Sequence, residues 1–71
     1  MTVVHTTGVV KVIEVVGMSE KSWSDAARHA VEVASETVHY ITGLYVLRST
    51  AKVVDGKITE YRVDAKIAFL V

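Results

Sequence analysis

The chain has 71 residues, of which 51% are hydrophobic and 23% are charged. This length is typical of one domain over residues 1–71, because single domains rarely contain fewer than about 50 residues. Eight Lys and Arg balance eight Asp and Glu, so the formal net charge is zero. That balance argues against nucleic acid and membrane surfaces as partners, since both attract a basic face.

The sequence contains no cysteine, which excludes disulfides, thiolate zinc sites and a cysteine nucleophile. No apolar run approaches the roughly 18 residues of a membrane span, and no signal-peptide pattern opens the chain. We therefore expect a cytoplasmic protein.

A domain this short has a stability problem. A 60-residue domain buries only about 60% of the surface that its unfolded chain exposes. Small proteins compensate with disulfides, metals or self-association. Because disulfides are excluded, we expect the chain to bury further surface against copies of itself, with a well-packed monomer as the alternative.

The first predicted elements are an arm and a strand. Residues 1–7 mix β-formers with polar residues, and we expect a flexible or partly strand-like arm. Residues 9–16 are dense in β-branched side chains. Their apolar residues fall on both faces, which is typical of a strand covered on both sides.

A helix is predicted over residues 20–39, with Ser19 as its N-cap and Glu20 in its first turn. Gly43 is expected to end this segment with a positive φ. Apolar residues recur at helical spacing, and most are alanine, so the helix axis can lie close to whatever covers it. These residues are Trp23, Ala26, Ala27, Ala30, Val31, Ala34, Val38 and Ile41.

Two strands follow, over residues 44–54 and 57–71, joined at Asp55-Gly56, a strong hairpin signal. The third strand alternates between apolar and charged residues, so one face is apolar and the other polar. We expect the helix to pack on the apolar face, whose residues are Tyr61, Val63, Ala65, Ile67, Phe69 and Val71.

Charges predict the register of this hairpin. A three-residue loop over residues 55–57, with a local bulge, places Val54 opposite Ile58 and sets opposite charges and like faces against each other. The expected pairs are Arg48–Asp64, Lys52–Glu60, Tyr45–Ile67, Leu47–Ala65 and Ala51–Tyr61. The predicted fold is α+β, in the order β-α-β-β, with a three-stranded antiparallel sheet and one helix.

Several stretches, taken in order, resemble the dodecin family. They run from Lys11 to Phe69 without obvious insertions: Lys11–Gly17, Ser19, Ser22-Trp23, Ala26-Ala27, Asp55–Val63 and Ala65–Phe69. The resemblance implies a hollow homododecamer in which a strongly curved antiparallel sheet wraps around each helix. It also implies flavins (riboflavin, FMN or lumichrome) held in pairs near two-fold interfaces, for storage, buffering or photoprotection rather than turnover.

The chain departs from the family at the expected flavin contacts. Gly43 stands where a tryptophan stacks on the flavin, and Arg62 where a glutamine bonds its polar edge. Thr50 stands where, in bacterial members, an arginine meets the FMN phosphate. Tyr45 is a candidate substitute platform, but the predicted register points it toward the apolar face. The resemblance therefore implies weakened or lost flavin binding, and a closer similarity to members that lack this tryptophan, some of which are associated with calcium.

Other candidate residues have simpler interpretations. Trp23 lies on the apolar stripe of the helix, where it is expected to pack. His29 and His39 are about 15 Å apart along one helix, too far to share a metal. His39 is expected beside the negative helix end. His5 lies in the arm.

Calcium needs six to eight oxygen ligands, and no calcium-loop motif is present. The available acids are Glu14, Asp55, Glu60 and Asp64. A ring of symmetry-related copies could bind a cation; alternatively these acids are solvated or paired with Arg48 and Lys52.

Three functional hypotheses follow. The first is a dodecin-like shell that sequesters a flavin-type molecule in an altered pocket. The second is a flavin-free assembly that binds cations such as calcium or acts as a scaffold. The third is an unrelated small enzyme or partner-binding domain, but no nucleophile elbow or glycine-rich phosphate loop is present, so we expect no catalysis.

Overall fold

The computed structural model describes residues 8–71, and the predicted arm lies outside them. The three strands form one antiparallel sheet in the order β1-β3-β2, so β3 is central and the other two strands are edges. The predicted α+β class and β-α-β-β order are therefore confirmed. The elements are β1 (Val10–Ser19), α1 (Trp23–Ala34), β2 (Ile41–Val54) and β3 (Lys57–Leu70).

The helix begins later than predicted. Its N-cap is Ser22, whose hydroxyl oxygen accepts a hydrogen bond from the Asp25 amide at 3.0 Å. Ser19 instead ends β1, accepts a bond from the Lys21 amide at 2.9 Å, and donates its hydroxyl to the Asp25 carboxylate at 2.7 Å. The prediction of Ser19 as the cap was wrong because both serines precede the helix, and Ser22 is the one whose oxygen reaches the open amide.

The helix also ends earlier, at Ala34 rather than near residue 39. Val38 and Ile41 continue the helical spacing in the sequence, but the first lies in the connection and the second in β2. The positive φ before β2 is found at Tyr40, with a value of 61°, and not at Gly43, so the prediction for Gly43 was wrong. Gly43 lies within β2 instead.

Small residues bring α1 into direct contact with the sheet. Ala26 and Ala30 are buried, and Ala26 packs against Val63 and Ala65 of β3. Gly17 of β1 lies under the helix, where an added β-carbon would overlap the Ala26 carbonyl oxygen. The prediction that α1 packs through alanines on the apolar face of β3 is confirmed. We call this face of the sheet the inner face and the opposite one the outer face.

The hairpin tip differs from the predicted loop. Asp55-Gly56 forms a two-residue loop with φ values of 52° and 76°, so Val54 pairs with Lys57, one residue earlier than predicted. Two positive φ values are typical of a type I′ turn. A bulge at Thr59 then restores the predicted register, and three predicted pairs are confirmed: Arg48–Asp64, Ala51–Tyr61 and Lys52–Glu60.

A second bulge changes the far half of the hairpin. Leu47 has no partner in the pairing with β3, and beyond it Tyr45 lies opposite Lys66 rather than Ile67. The predicted pair of Leu47 with Ala65 is wrong for the same reason. Charge pairing alone could not indicate this extra residue, which bends and twists the strand.

The chain buries very little of itself. Within residues 8–71, only two residues larger than alanine, Val63 and Ile67, are fully buried. The radius of gyration is 14.6 Å, against about 11 Å for a compact domain of this length. The molecule extends 54 Å along its longest axis and only 19 and 15 Å along the others. Among the described helices, none is long and apolar enough to cross a membrane.

The close contact at Gly17 predicts that Gly17→Ala destabilises the fold. The new methyl group would collide with backbone, which cannot move aside as a flexible side chain can. We expect a loss of about 1–3 kcal/mol in the free energy of unfolding, measured by chemical denaturation. Gly43→Ala is the matched control, because its β-carbon would meet only ordinary contacts of 3.5–3.7 Å. Equal stability of the two variants would contradict the packing.

The Ser19 hydroxyl lowers the pKa of Asp25 below its usual value of 3.8, with smaller contributions from Lys21, Arg28 and His29. Because the folded-state pKa is lowered, the resulting stabilisation is present above that usual value and is lost as the pH falls through the folded-state pKa. We predict that Ser19→Ala raises the pKa of Asp25 in an NMR titration. Arg28→Gln, the control, should raise it less, and the reverse order would contradict the assignment.

Candidate functional site

The predicted site positions all lie on the outer face of the hairpin. Residues directly opposite each other in an antiparallel pair project from the same face. Charged residues of β3 alternate onto this face, opposite to the one that α1 covers. The relevant pairs are Gly43–Ala68, Tyr45–Lys66 and Thr50–Arg62.

These positions form two separate groups on the hairpin and do not meet in one site. Gly43 and Tyr45 lie near the start of β2, whereas Thr50 and Arg62 are direct neighbours farther along the hairpin. Seven residues separate Gly43 from Thr50, which is roughly 20 Å of extended strand. A small ligand that contacts both groups would therefore have to lie between copies of the chain.

In the first group, the Tyr45 ring lies over Gly43. A β-carbon built on Gly43 would lie 3.5 Å from Tyr45 Cε2, 3.7 Å from its hydroxyl oxygen and 3.7 Å from the β-carbon of Ala68. Tyr45 is 59% exposed, whereas Ala68 is buried. The prediction that Tyr45 faces the apolar side was wrong, because the bulge at Leu47 returns it to the outer face.

Ala68 is the residue of this group that sequence reasoning missed. It occupies a position on the outer face of β3, where the preceding positions are charged. The sequence signal for it was the change from charged residues to a small apolar one at the end of the outer-face positions of β3. Ala68 and the Tyr45 ring are both close neighbours of the place that a side chain at position 43 would occupy.

In the second group, Arg62 is engaged by an acid of its own strand. The Arg62 Nε donates a hydrogen bond to Glu60 Oε1 at 2.6 Å. Glu60 therefore pairs with Arg62, although Lys52 is its cross-strand neighbour. A shallow groove of about 280 Å³ lies here, lined by Thr50, Ala51, Lys52 and Arg62.

Trp23 packs within the chain, as predicted. Its ring meets Tyr61 edge to face, with centroids 4.9 Å apart and an interplanar angle of 81°. Its indole N–H donates to the Thr50 carbonyl oxygen at 2.7 Å. This bond ties the first turn of α1 to β2 behind the second group.

The acids proposed as cation ligands are mostly paired. Asp64 forms an ion pair with Arg48, with Nε and Oδ2 3.2 Å apart, confirming the predicted pair, and Glu14 lies 4.0 Å from the Lys66 ammonium. Between residues 8 and 71, no three His, Asp or Glu side chains gather closely enough to hold a metal ion.

The histidines do not form a site together in this part of the chain. His29 lines an apolar cleft between α1 and β1. His39 lies beyond the end of α1, so its predicted place against the helix terminus was wrong; its ring lies beside Tyr40. The predicted position of His5 lies outside the described residues.

Comparison with known proteins identifies the class. The family model described as Dodecin matches residues 9–71, nearly the whole chain. The three-stranded sheet with one helix is the fold of solved dodecins. The chain therefore belongs to the dodecin family, which is known for flavin binding and for assembly into homododecamers.

Individual dodecins are similar over most of their length. Dodecin from Streptomyces coelicolor is 29% identical, with a TM-score of 0.89 and coverage of 93% of this chain and 94% of that one. Dodecin from Streptomyces davaonensis is 26% identical, with a TM-score of 0.88 and coverage of 93% and 97%. No curated protein sequence matches the chain significantly.

A further solved relative is described as a calcium-chelating immunodominant antigen, the calcium dodecin of Mycobacterium tuberculosis, with a novel calcium-binding site. It is 36% identical to this chain, with a TM-score of 0.78. The match covers 89% of this chain and 90% of that one. The family thus includes a member whose described ligand is a cation.

Proposed function

We propose that the chain forms a non-catalytic homododecameric shell that sequesters flavin-type molecules more weakly than dodecins with a stacking tryptophan. The observation that carries the ligand part is the first group on the outer face. Gly43 has no side chain, and the exposed ring of Tyr45 lies over it.

Exposed apolar residues support the shell. Both edge strands carry large side chains that the lone chain leaves about half exposed, and exposed edges invite pairing with another chain. Several large apolar side chains left exposed on one face are typical of interfaces between subunits. On the outer face of β1 these residues are Val10, Val12, Val16 and Met18.

The second group supports weak binding. Arg62 is a cation at the position where the family resemblance implies a neutral glutamine. Because it already pairs with Glu60, a ligand would have to compete with this ion pair. Thr50 has a short hydroxyl side chain and no charge for a phosphate. Its carbonyl is occupied by the Trp23 indole on the inner side. Neither residue supplies the contact that the family resemblance implies.

Restoring the family contacts should strengthen flavin binding. We predict that Gly43→Trp combined with Arg62→Gln increases riboflavin affinity at least about tenfold, measured by quenching of riboflavin fluorescence. The exposed Tyr45 ring can swing aside to admit the new indole.

The control is Lys57→Gln, an exposed change at the start of β3, which should leave affinity unchanged. Light scattering should give the same oligomeric mass for all three proteins. A double variant that assembles but binds no better than wild type would contradict the proposed pocket.

Calcium binding is the second candidate, favoured by the 36% identity to the calcium dodecin. Glu14 is the best placed acid on the outer face. Its side chain is 72% exposed and its contact with Lys66, at 4.0 Å, is the longest of the ion pairs described for residues 8–71. Such a weak exposed pair costs little to break, so Glu14 is free to join carboxylates from other copies.

We predict that calcium raises the melting temperature of the wild-type assembly, because a ligand that binds only the folded state stabilises it. Glu14→Gln should abolish the increase, while Glu32→Gln, an exposed acid on α1, should keep it. The measurements are thermal unfolding and calorimetric titration. Absence of any heat or shift with wild type would exclude this candidate.

A further inference from the structure

Four charged residues follow one another on the outer face of β3, and their signs alternate. They are Glu60, Arg62, Asp64 and Lys66, which we call the charge series. They lie on the face of the sheet opposite to the one that α1 covers. Their side chains are 28–47% exposed, so a second molecule can reach all four.

The two central members of the charge series use only part of their bonding capacity within the chain. Arg62 donates to Glu60 through Nε, which leaves the terminal nitrogens of its guanidinium group for a second carboxylate. Asp64 meets Arg48 through Oδ2, which leaves Oδ1 as an acceptor. Each of the two can therefore bind a further partner of opposite charge while it keeps the one it has.

The order of signs makes the charge series complementary to itself. Consider two outer faces packed together with antiparallel strands, related by a two-fold axis that crosses the strands at Val63. Since a two-fold contact is reciprocal, Arg62 of each copy then lies opposite Asp64 of the other, and Glu60 lies opposite Lys66. Parallel strands would instead place each charge opposite its own kind. Moving the axis by two residues in either direction would pair only half of the series.

The neighbouring strand β1 fits the same arrangement. Val16 and Met18 lie on its outer face on either side of Gly17, which pairs with Val63. Because the axis crosses this pair, Val16 of each copy meets Met18 of the other. Both residues are about half exposed in the single chain, at 55% and 51%. Apolar surface would thus be buried against apolar surface directly beside the paired charges.

We propose that two copies of the chain pack outer face to outer face through the charge series, with reciprocal Arg62–Asp64 ion pairs at the centre of the contact. The inference rests on the proposed function, because it names a contact within the shell. Aligned sheets pack about 10 Å apart, a spacing that a guanidinium and a carboxylate on opposite sheets can bridge. The contact also accounts for a cation at position 62, where the family resemblance implies a neutral glutamine.

The test reverses the two central charges. Arg62→Asp sets carboxylates against each other across the contact, and Asp64→Arg does the same with guanidinium groups. We expect each variant alone to need at least about tenfold more protein than wild type for half-maximal assembly, measured by mass photometry and light scattering over a concentration series. The two variants refolded together in equal amounts should regain the wild-type mass, because acids then meet cations at both central places. A chain that carries both changes should regain it as well.

Glu32→Arg, an exposed acid-to-base change on α1, is the matched control for Asp64→Arg and should assemble as wild type does. Arg62→Gln brings no like charges together and should keep the wild-type mass at micromolar concentration. A mixture of the two reversed variants that assembles no better than either alone would overturn the proposal, because charges that act only within one chain cannot be repaired by another. Reversed variants that assemble as readily as wild type would overturn it too, and would leave the proposed shell standing. A wild-type chain that stays single would overturn both.

Discussion

The close contact between α1 and β1 is the constraint on which the rest of the structure depends. Gly17 has no side chain, and Ala26 and Ala30 have the shortest ones, so the helix lies directly on the strand. Short side chains make a thin core. Val63 and Ile67 alone add large fully buried side chains within residues 8–71, while valines on both edge strands stay exposed. A thin core contributes little hydrophobic free energy, and the exposed valines are where the missing burial can be gained, against other copies.

The bulge at Leu47 connects the fold to the site. Arg48 and Asp64 pair on the outer face, and without the extra residue Val46 rather than Tyr45 would lie opposite Lys66. The bulge places the tyrosine on the outer face, where its ring lies over Gly43. The chain thus keeps an aromatic ring at the place where the dodecin resemblance implies a tryptophan, but supplies it from a position two residues along the same strand.

The sequence was sufficient for the class, the element order and much of the hairpin, because strict alternation in β3 and the Asp55-Gly56 dipeptide are local signals. These local signals also led to the three cross-strand pairs of the hairpin that were predicted correctly. The helix ends could not be predicted: Ser19 and Ser22 are both good caps, and Val38 continues the helical spacing outside the helix. The Leu47 bulge has no local signal either, because neither the charge pattern nor the alternation marks an unpaired residue, and the predicted orientation of Tyr45 was wrong for that reason.

We propose that a chain with so small a core folds only when it assembles with other copies. The most direct test dilutes the protein from micromolar to nanomolar concentration and records mass by light scattering or mass photometry together with far-ultraviolet circular dichroism. We expect a species of about 94 kDa, twelve times the 7.8 kDa chain, whose β-sheet signal disappears together with that mass. A folded single chain that keeps its full circular dichroism spectrum at any of these concentrations would contradict it.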